Sequence, residues 1–233
     1  MEFNIIATGS SGNLYTLSDG VTSIMIEAGL NISAIKKQLK FRLTSHKVCI
    51  LTHEHIDHVR GAKDVSKYIP IAGTEGTLNA IMSSNKITMT YNVPVFFDTL
   101  KVTPFETIHN AAMPCGYLIK SINTGKQLVF VTDSQVISYK FSGINYLACE
   151  CNYDRDILEA NVDKGLIDRS QYDKIVSNHL ALDTVLEIIK GYDSLEKVYL
   201  IHLSERNLNR KKMIAKIREI YEGKLYDKEG EIK

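Results

Sequence analysis

The chain has 233 residues, 44% of them hydrophobic and 24% charged, which is ordinary for a globular protein and excludes a wholly disordered chain. Its 28 basic and 27 acidic residues give a net charge of +1, so any attraction to phosphate must be local. No apolar run approaches the roughly 18 residues of a membrane span, residues 1–4 lack the basic region that starts a signal peptide, and the four cysteines do not have the spacing of a disulfide scaffold. We therefore predict one cytoplasmic domain over residues 1–233 with free thiols and no membrane partner.

The first part of the chain is predicted to be rich in strands. Asn31 is predicted to cap a short helix that ends at Lys40, and further helices are predicted over 59–68 and 74–82. Apolar, β-branched and aromatic runs bounded by turn residues predict strands over 3–7, 14–17, 22–26, 48–51, 93–97, 100–107, 117–122 and 127–131.

In the second part, strands alternate with helices. Strands are predicted over 144–151 and 198–203. Helices are predicted over 157–162, 170–176 and 184–189, and a basic amphipathic helix over 208–221. Periodicity by itself indicates only an α/β or α+β protein.

Four possible metal ligands follow the strand 48–51 within six residues: His53, His55, Asp57 and His58. Imidazoles at alternate positions of an extended loop can point the same way, and zinc accepts imidazole nitrogen and carboxylate oxygen. Asp57 and His58 can face a second ion where the chain turns into a helix, since bimetallic hydrolases hold their ions roughly 3.5–4 Å apart. The alternative is a solvated polar loop.

Further ligands are expected at other strand ends. The remaining histidines are His46, His109, His179 and His202, of which His109 and His202 end predicted strands, and Asp133 follows the strand 127–131. Each has an alternative reading, because a histidine after a strand is often a satisfied core residue and an acid there can be a helix cap.

Motifs along the chain resemble those of the metallo-β-lactamase superfamily. The segment 52–58, Thr-His-Glu-His-Ile-Asp-His, is similar to its signature. The segments 8–13 and 24–29 resemble the first turn and the next strand end of the YycJ/WalJ-like branch, although Glu27 stands where aspartate is usual. Later motifs similar to that branch and to tRNase Z are His109 with 114–117, Thr132-Asp133 and 201–207.

The resemblance implies an α+β fold, an αββα sandwich of two mixed β-sheets flanked by helices. It implies two divalent ions, zinc, with manganese or iron as alternatives. It implies a set of seven ligands: His53, His55 and His109 on one ion, Asp57, His58 and His202 on the other, and Asp133 bridging both together with a hydroxide. Asp57 and Asp133 are therefore also catalytic candidates.

Other residues are candidates for substrate contact. The segment 177–180 resembles the segment with a histidine that precedes the last ligand in these relatives. Its histidine, His179, is predicted to bind the scissile phosphate or to protonate the leaving oxygen. Tyr153 stands where the branch has histidine, and a phenol with a pKa near ~10 is a poorer proton donor at neutral pH. Glu54 is expected to support a ligand or to be merely exposed. The remaining predicted substrate residues are Ser10, Ser11, Asn13, Asn152 and Arg206, of which the first three could instead only form a turn.

Two basic clusters could guide a phosphate backbone. One follows His202 and the other lies in the first predicted helix; their members are Arg206, Arg210, Lys211 and Lys212, and Lys36, Lys37, Lys40 and Arg42. Each could equally be a solvated helix face.

The site indicates a phosphodiesterase that acts on nucleic acid. One alternative is hydrolysis of a small or cyclic nucleotide, as by a phage anti-defence enzyme, for which a near-neutral protein needs no basic groove. A second alternative is hydrolysis of a small ester or thioester. A redox module of the flavo-diiron type is disfavoured, because Glu54 lies between ligands and no flavodoxin domain follows. Dimers are common among the relatives, so a homodimer is a candidate assembly.

Overall fold

A computed structural model describes residues 1–232. These residues fall into two compact units, the first comprising Met1–Glu106 and Ala111–Phe130, and the second comprising Thr107–Asn110 and Val131 onward. Within the described chain, no helix has the length and apolar character needed to cross a membrane. The assignment of residues 1–233 to a single domain stays a prediction.

The first unit contains a six-stranded mixed sheet whose strands follow one another in chain order. Two antiparallel pairings come first, and three parallel pairings follow. The strands are β1 (Glu2–Ala7), β2 (Leu14–Ser18), β3 (Ser23–Ile26), β4 (Cys49–Ile50), β5 (Ile71–Gly73) and β6 (Lys86–Thr88). The predictions for β1 to β4 are confirmed to within two residues, whereas β5 and β6 were not predicted.

Short helices join these strands: α1 (Ile32–Gln38), α2 (Ile56–Val59), α3 (Ala62–Val65) and α4 (Glu75–Asn79), with a 3-10 turn at Leu43–Ser45. Asn31 caps α1 as predicted, its side-chain oxygen accepting from the backbone N–H of Ala34 at 2.9 Å. The buried face of α1 packs Ile35 into an apolar cluster with Met25 and Leu51.

The predicted helix over 59–68 is confirmed only at α3, because the helical segment starts earlier, at Ile56, and is interrupted at Gly61. The N–H of Gly61 donates to the carbonyl of Ala28 at 2.8 Å. A Cβ atom at this glycine would lie 2.4 Å from the carbonyl oxygen of Leu30. Close backbone approach therefore fixes the chain here, and α2 becomes a separate turn that carries Asp57 and His58. The predicted helix over 74–82 is shorter, and Thr74 is its cap.

The first unit also contains antiparallel strands β7 (Val95–Phe97), β8 (Leu100–Glu106), β9 (Cys115–Ser121) and β10, which spans Gln127–Val131 and whose last residue belongs to the second unit. Their predicted positions are confirmed to within two residues. The buried carboxylate of Asp19, in the turn after β2, accepts hydrogen bonds from the hydroxyls of Thr99 at 2.7 Å and Ser121 at 2.8 Å. This contact ties the turn of the six-stranded sheet to the β7–β9 strands.

The second unit contains β11 (Tyr146–Glu150), β12 (Lys197–Ile201), β13 (Lys224–Asp227) and β14 (Gly230–Ile232). The first three pair in parallel and the last pair is antiparallel. The helices are α5 (Arg155–Asp163), α6 (Arg169–Asn178), α7 (Leu182–Lys190) and α8 (Arg210–Arg218). The predicted strands and helices are found, α8 being shorter than 208–221, whereas β13 and β14 were not predicted.

Candidate metal centre

The histidine-rich loop of the first unit, residues 53–58, is separated from β4 by Leu51 and Thr52 and turns into α2. His55 is the residue before α2, and Asp57 and His58 lie within it. The ring centroid of His53 lies 4.7 Å from that of His55 and 4.1 Å from that of His58. The Nε2 atom of His58 lies 3.4 Å from a carboxylate oxygen of Asp57. The loop therefore gathers three imidazoles and one carboxylate, as its spacing predicted.

Buried side chains of neighbouring strands hold His58 in place. Glu27 directly follows β3 and has a backbone φ of +65°, and its carboxylate oxygen lies 3.4 Å from Nδ1 of His58. Asn13 places its amide nitrogen 3.2 Å from Nε2 of His58. Burial raises the pKa of Glu27, against the opposing effects of His58 and Thr52.

Two contacts hold the other side of the loop. The hydroxyl of Thr52 lies 3.0 Å from Nδ1 of His53 and also donates to the Glu27 carboxylate. A carboxylate oxygen of Glu54 accepts from the backbone N–H of Ala112 at 2.8 Å. Glu54 therefore anchors the loop to a neighbouring segment, and its support of a ligand stays a prediction.

The second unit gathers its own set of ligand-type side chains around Asp133, which lies two residues after the end of β10. One oxygen of Asp133 lies 3.3 Å from Nδ1 of His202, and the other lies 3.9 Å from Nε2 of His109. Asp133 and His202 have backbone φ values of +23° and +50°. Such values are strained for residues with a Cβ, and strain of this kind concentrates at functional sites.

Glu150, the last residue of β11, organises this cluster. It is fully buried, and one of its oxygens accepts from the backbone N–H groups of Ser134 at 2.8 Å and Leu180 at 3.0 Å. The other oxygen lies 2.9 Å from Nδ1 of His179 and 3.6 Å from Nδ1 of His202. Potential ligand atoms of Asp133, Glu150, His179 and His202 all lie within 4.8 Å of one another.

The two partners of the Glu150–His179 pair shift each other's pKa. Burial by itself would raise the pKa of Glu150, but the imidazoles of His179 and His202 bring it below its ordinary value. Burial would lower the pKa of His179, but the Glu150 carboxylate raises it. Both directions favour a charged pair, with His179 protonated on Nδ1.

The donor chemistry of each cluster fits a divalent transition ion. Neutral imidazole and ionised carboxylate are the ligands that zinc accepts. In the first unit, the imidazole of His58 lies beside both the imidazole of His53 and the carboxylate of Asp57. In the second unit Asp133 offers one oxygen to each of two histidines. The ligand roles of the individual residues stay predictions.

The predicted substrate residues divide by burial. Ser10, Ser11 and Arg206 are exposed. Asn13 is fully buried and its amide nitrogen contacts Asp57 and His58, and its contact with substrate stays a prediction. Tyr153 is 2% exposed and packs with Leu158 and Ala181.

Asn152 and Tyr153 both make contacts within the fold, and their roles as substrate contacts stay predictions. The amide nitrogen of Asn152 is 3.5 Å from the carbonyl of His202, which ties the chain after β11 to the histidine after β12. The Tyr153 ring packs in an apolar cluster.

Sequence reasoning missed Glu27 and Glu150 as site residues. The available signal was the same in both cases, an acid at the carboxyl end of an apolar strand. His46, considered as a possible ligand, instead lies 2.8 Å from the hydroxyl of Ser23 and belongs to neither cluster.

Comparison with known proteins gives a family match over most of the chain. The sequence model of a family described as Beta-lactamase superfamily domain matches residues 22–203. This stretch includes the histidine-rich loop, Asp133 and His202.

Two curated bacterial proteins and one solved structure are similar to the chain. The exodeoxyribonuclease YycJ of Bacillus anthracis is 27% identical over an alignment of 225 residues that covers 89% of this chain and 84% of that protein. The exodeoxyribonuclease WalJ of Streptococcus pneumoniae serotype 2 is 26% identical over 88% of this chain and 82% of its own length. The metallo-β-lactamase fold protein YhfI of Bacillus subtilis superposes with a TM-score of 0.75, covering 97% of this chain and 95% of that one at 15% identity.

Proposed function

Because this chain belongs to the β-lactamase superfamily and has the metallo-β-lactamase fold, as its motifs predicted, we propose that it is a two-metal phosphodiesterase that cuts DNA. Its family and its curated relatives make the protein a metal-dependent hydrolase. DNA is proposed as the substrate because both curated relatives are exodeoxyribonucleases and are matched over more than four fifths of their length.

The proposed ligand set is the one that the resemblance implies. His53, His55 and His109 would hold one zinc ion, Asp57, His58 and His202 the other, and Asp133 both. Bound ions would lower the pKa of a shared water and stabilise negative charge on the attacked phosphoryl group. Contacts in the first unit support this assignment, because Glu27 and Asn13 restrain the imidazole of His58 and Thr52 restrains that of His53.

The chain's own residues would orient the substrate and move its protons. Glu150 holds Nδ1 of His179, which leaves Nε2 as the atom that would contact a phosphate oxygen or protonate the leaving oxygen. The raised pKa of His179 favours the protonated form that this role needs near neutral pH. Exposed Ser10, Ser11 and Arg206 remain proposed contacts to the phosphate backbone.

Metal content and hydrolysis test the proposal together. The purified protein should carry about two transition ions per chain by elemental analysis. The variants His55→Ala and Asp133→Ala should lose ions and should hydrolyse bis-p-nitrophenyl phosphate at least about a hundredfold more slowly, since removed ligands leave the ions misplaced. The matched control is His46→Ala, which removes a histidine bonded to Ser23 and should keep both properties.

A substrate panel tests the DNA part separately. The enzyme would be given a labelled single strand, a duplex and a set of cyclic mononucleotides at equal concentration of phosphodiester. Faster turnover of the DNA substrates is expected. A turnover ratio that strongly favours the cyclic compounds would replace DNA by a small nucleotide as the substrate, and full activity after chelation and dialysis would refute the metal mechanism.

A further inference from the structure

Positive charge is concentrated in one segment of an otherwise balanced chain. Residues 28–53 contain five basic residues and no aspartate or glutamate. Four of the five, Lys36, Lys37, Lys40 and Arg42, lie within seven residues along α1 and the turn after it. Three of these four are exposed, and Lys36 is half-buried. A local basic surface of this kind attracts a phosphate backbone even where the net charge of the protein is near zero.

An exposed aromatic ring lies in the middle of these cations. The side chain of Phe41 is 78% exposed, the most exposed of the large hydrophobic side chains in the described chain. Lys40 and Phe41 have backbone φ values of +49° and +60°, and the N–H of Phe41 donates to the carbonyl of Lys36 at 2.7 Å. The left-handed backbone of this turn is costly in conformational energy for two residues with a Cβ, and it leaves the Phe41 ring exposed to solvent.

A second aromatic ring extends the same surface. The ammonium of Lys36 donates to the hydroxyl of Tyr68 at 2.7 Å and lies 4.2 Å from the centre of its ring. Tyr68 is 46% exposed. The acid of this region, Asp64, is already bonded to Lys67 at 2.6 Å, and Lys67, with weaker contributions from Lys63 and Lys36, lowers its pKa. The balance of charge here is therefore strongly positive.

This surface is connected to the histidine-rich loop through the start of α1. Gly29, two residues before the cap of α1, bonds its N–H to the carbonyl of Asn13, and the N–H of Asn13 bonds to the carbonyl of Asp57. Gly61, which follows α2, would meet the side chain of Ile35 in α1 if it had a Cβ. A seven-residue helix is about 10 Å long, so α1 leads from the backbone of the loop to the exposed ring of Phe41.

We propose that the patch formed by Lys36, Lys37, Lys40, Phe41, Arg42 and Tyr68 binds single-stranded nucleic acid. Phe41 stacks on an unpaired base, and the cations beside it contact the phosphates. The single strand is the favoured partner because a base in a duplex is already stacked on its neighbours and offers no free face to the ring. The inference deepens the proposed DNA hydrolysis and rests on it for the source of the strand.

The test is binding of a fluorescent single-stranded 20-mer with phosphorothioate linkages, which resist cleavage, to the metal-loaded protein by fluorescence anisotropy. Phe41→Ala should weaken binding about tenfold, as loss of one stacked base does, whereas Phe41→Tyr should bind like the natural protein. Lys40→Ala with Arg42→Ala should lower the slope of log K against log salt concentration by about 1.4, or roughly 0.7 for each phosphate contact to a single strand. The aromatic control is Phe96→Ala, which removes a ring that is 58% exposed on β7 and should leave binding unchanged.

Two further measurements separate the possible outcomes. Hydrolysis of bis-p-nitrophenyl phosphate by Phe41→Ala should equal that of the natural protein, because the small substrate does not need the patch. Equal binding of the single strand by Phe41→Ala and the natural protein would overturn the inference, even if DNA hydrolysis proceeds. Loss of binding to phosphatidylserine vesicles in Phe41→Ala, with strand binding intact, would also overturn it in favour of a membrane surface. Tenfold weaker strand binding in an enzyme that cuts no DNA would sustain the patch and refute the proposed reaction.

Discussion

Replacing Asp19 by asparagine should destabilise the protein by about 2 kcal/mol at neutral pH and remove part of its sensitivity to acid. The carboxylate is 5% exposed and accepts four hydrogen bonds, from the backbone N–H groups of Val21 and Thr22 and from the hydroxyls of Thr99 and Ser121. Burial by itself would raise the pKa of Asp19, but these donors lower it from 3.8 to about 2. Asparagine keeps one acceptor oxygen but loses the charge that strengthens the bonds.

The magnitude follows from linkage between protonation and folding. A carboxyl with a depressed pKa in the folded state contributes stability above its unfolded pKa of 3.8, and that contribution is lost as the pH falls through about 2. Because one pKa unit corresponds to about 1.4 kcal/mol, the contribution is about 2 kcal/mol at pH 7 and about half of that at pH 3. The destabilisation by Asp19→Asn should therefore be constant from pH 7 to pH 5 and shrink toward pH 3.

Urea unfolding monitored by circular dichroism at pH 7, 5, 4 and 3 measures this difference directly. Both proteins would be stripped of metal, so that loss of ions in acid does not contribute. The control is Asp193→Asn, an exposed aspartate in the turn before β12, which should change stability by less than about 0.5 kcal/mol. A destabilisation that is as large at pH 3 as at pH 7, or absent at both, would show that the Asp19 carboxylate does not act through its charge.

Three other changes have expected outcomes. Gly29→Ala should lower the free energy of unfolding by more than about 3 kcal/mol and reduce metal content, because its Cβ would lie 1.7 Å from the carbonyl oxygen of Asp57. The control is Gly191→Ala, whose Cβ would have no neighbour nearer than 3.4 Å and which should change neither the unfolding free energy nor the metal content. Glu150→Gln should reduce kcat by about 10- to 100-fold with little change in KM, because the amide no longer orients His179. The control is Glu219→Gln, which changes an exposed glutamate. An unchanged kcat in Glu150→Gln, or an equal loss of kcat in the control, would contradict this role. Chelation should lower the free energy of unfolding by about 3 kcal/mol when the free ion had been present at a hundred times its Kd, and an unchanged Tm after chelation would argue against bound metal.

The sequence predicted correctly those elements that depend on interactions between residues close together in the chain. Asn31 caps its helix because an amide oxygen next to an apolar repeat has a nearby backbone N–H to accept from. The strands of the β7–β10 group were found because β-branched and aromatic residues fill a buried, pleated surface. In contrast, β5, β6 and β14 were not predicted, and these three-residue strands are defined by pairing with their neighbours.

The site likewise contains residues that a local sequence pattern predicts and residues that only tertiary contacts bring to it. By itself, the sequence determined the histidine-rich loop, since ligands at alternate and adjacent positions within six residues are a local pattern that chain geometry brings together. Only the tertiary structure decided that Glu27 lies against His58, that Glu150 holds His179 and that Tyr153 is buried away from solvent. It also decided that Gly61 breaks the helix after the loop, by packing its backbone on the segment that ends at Leu30. These contacts join residues far apart in the chain, and whether a buried acid meets an imidazole or an apolar wall depends on packing that no local pattern encodes.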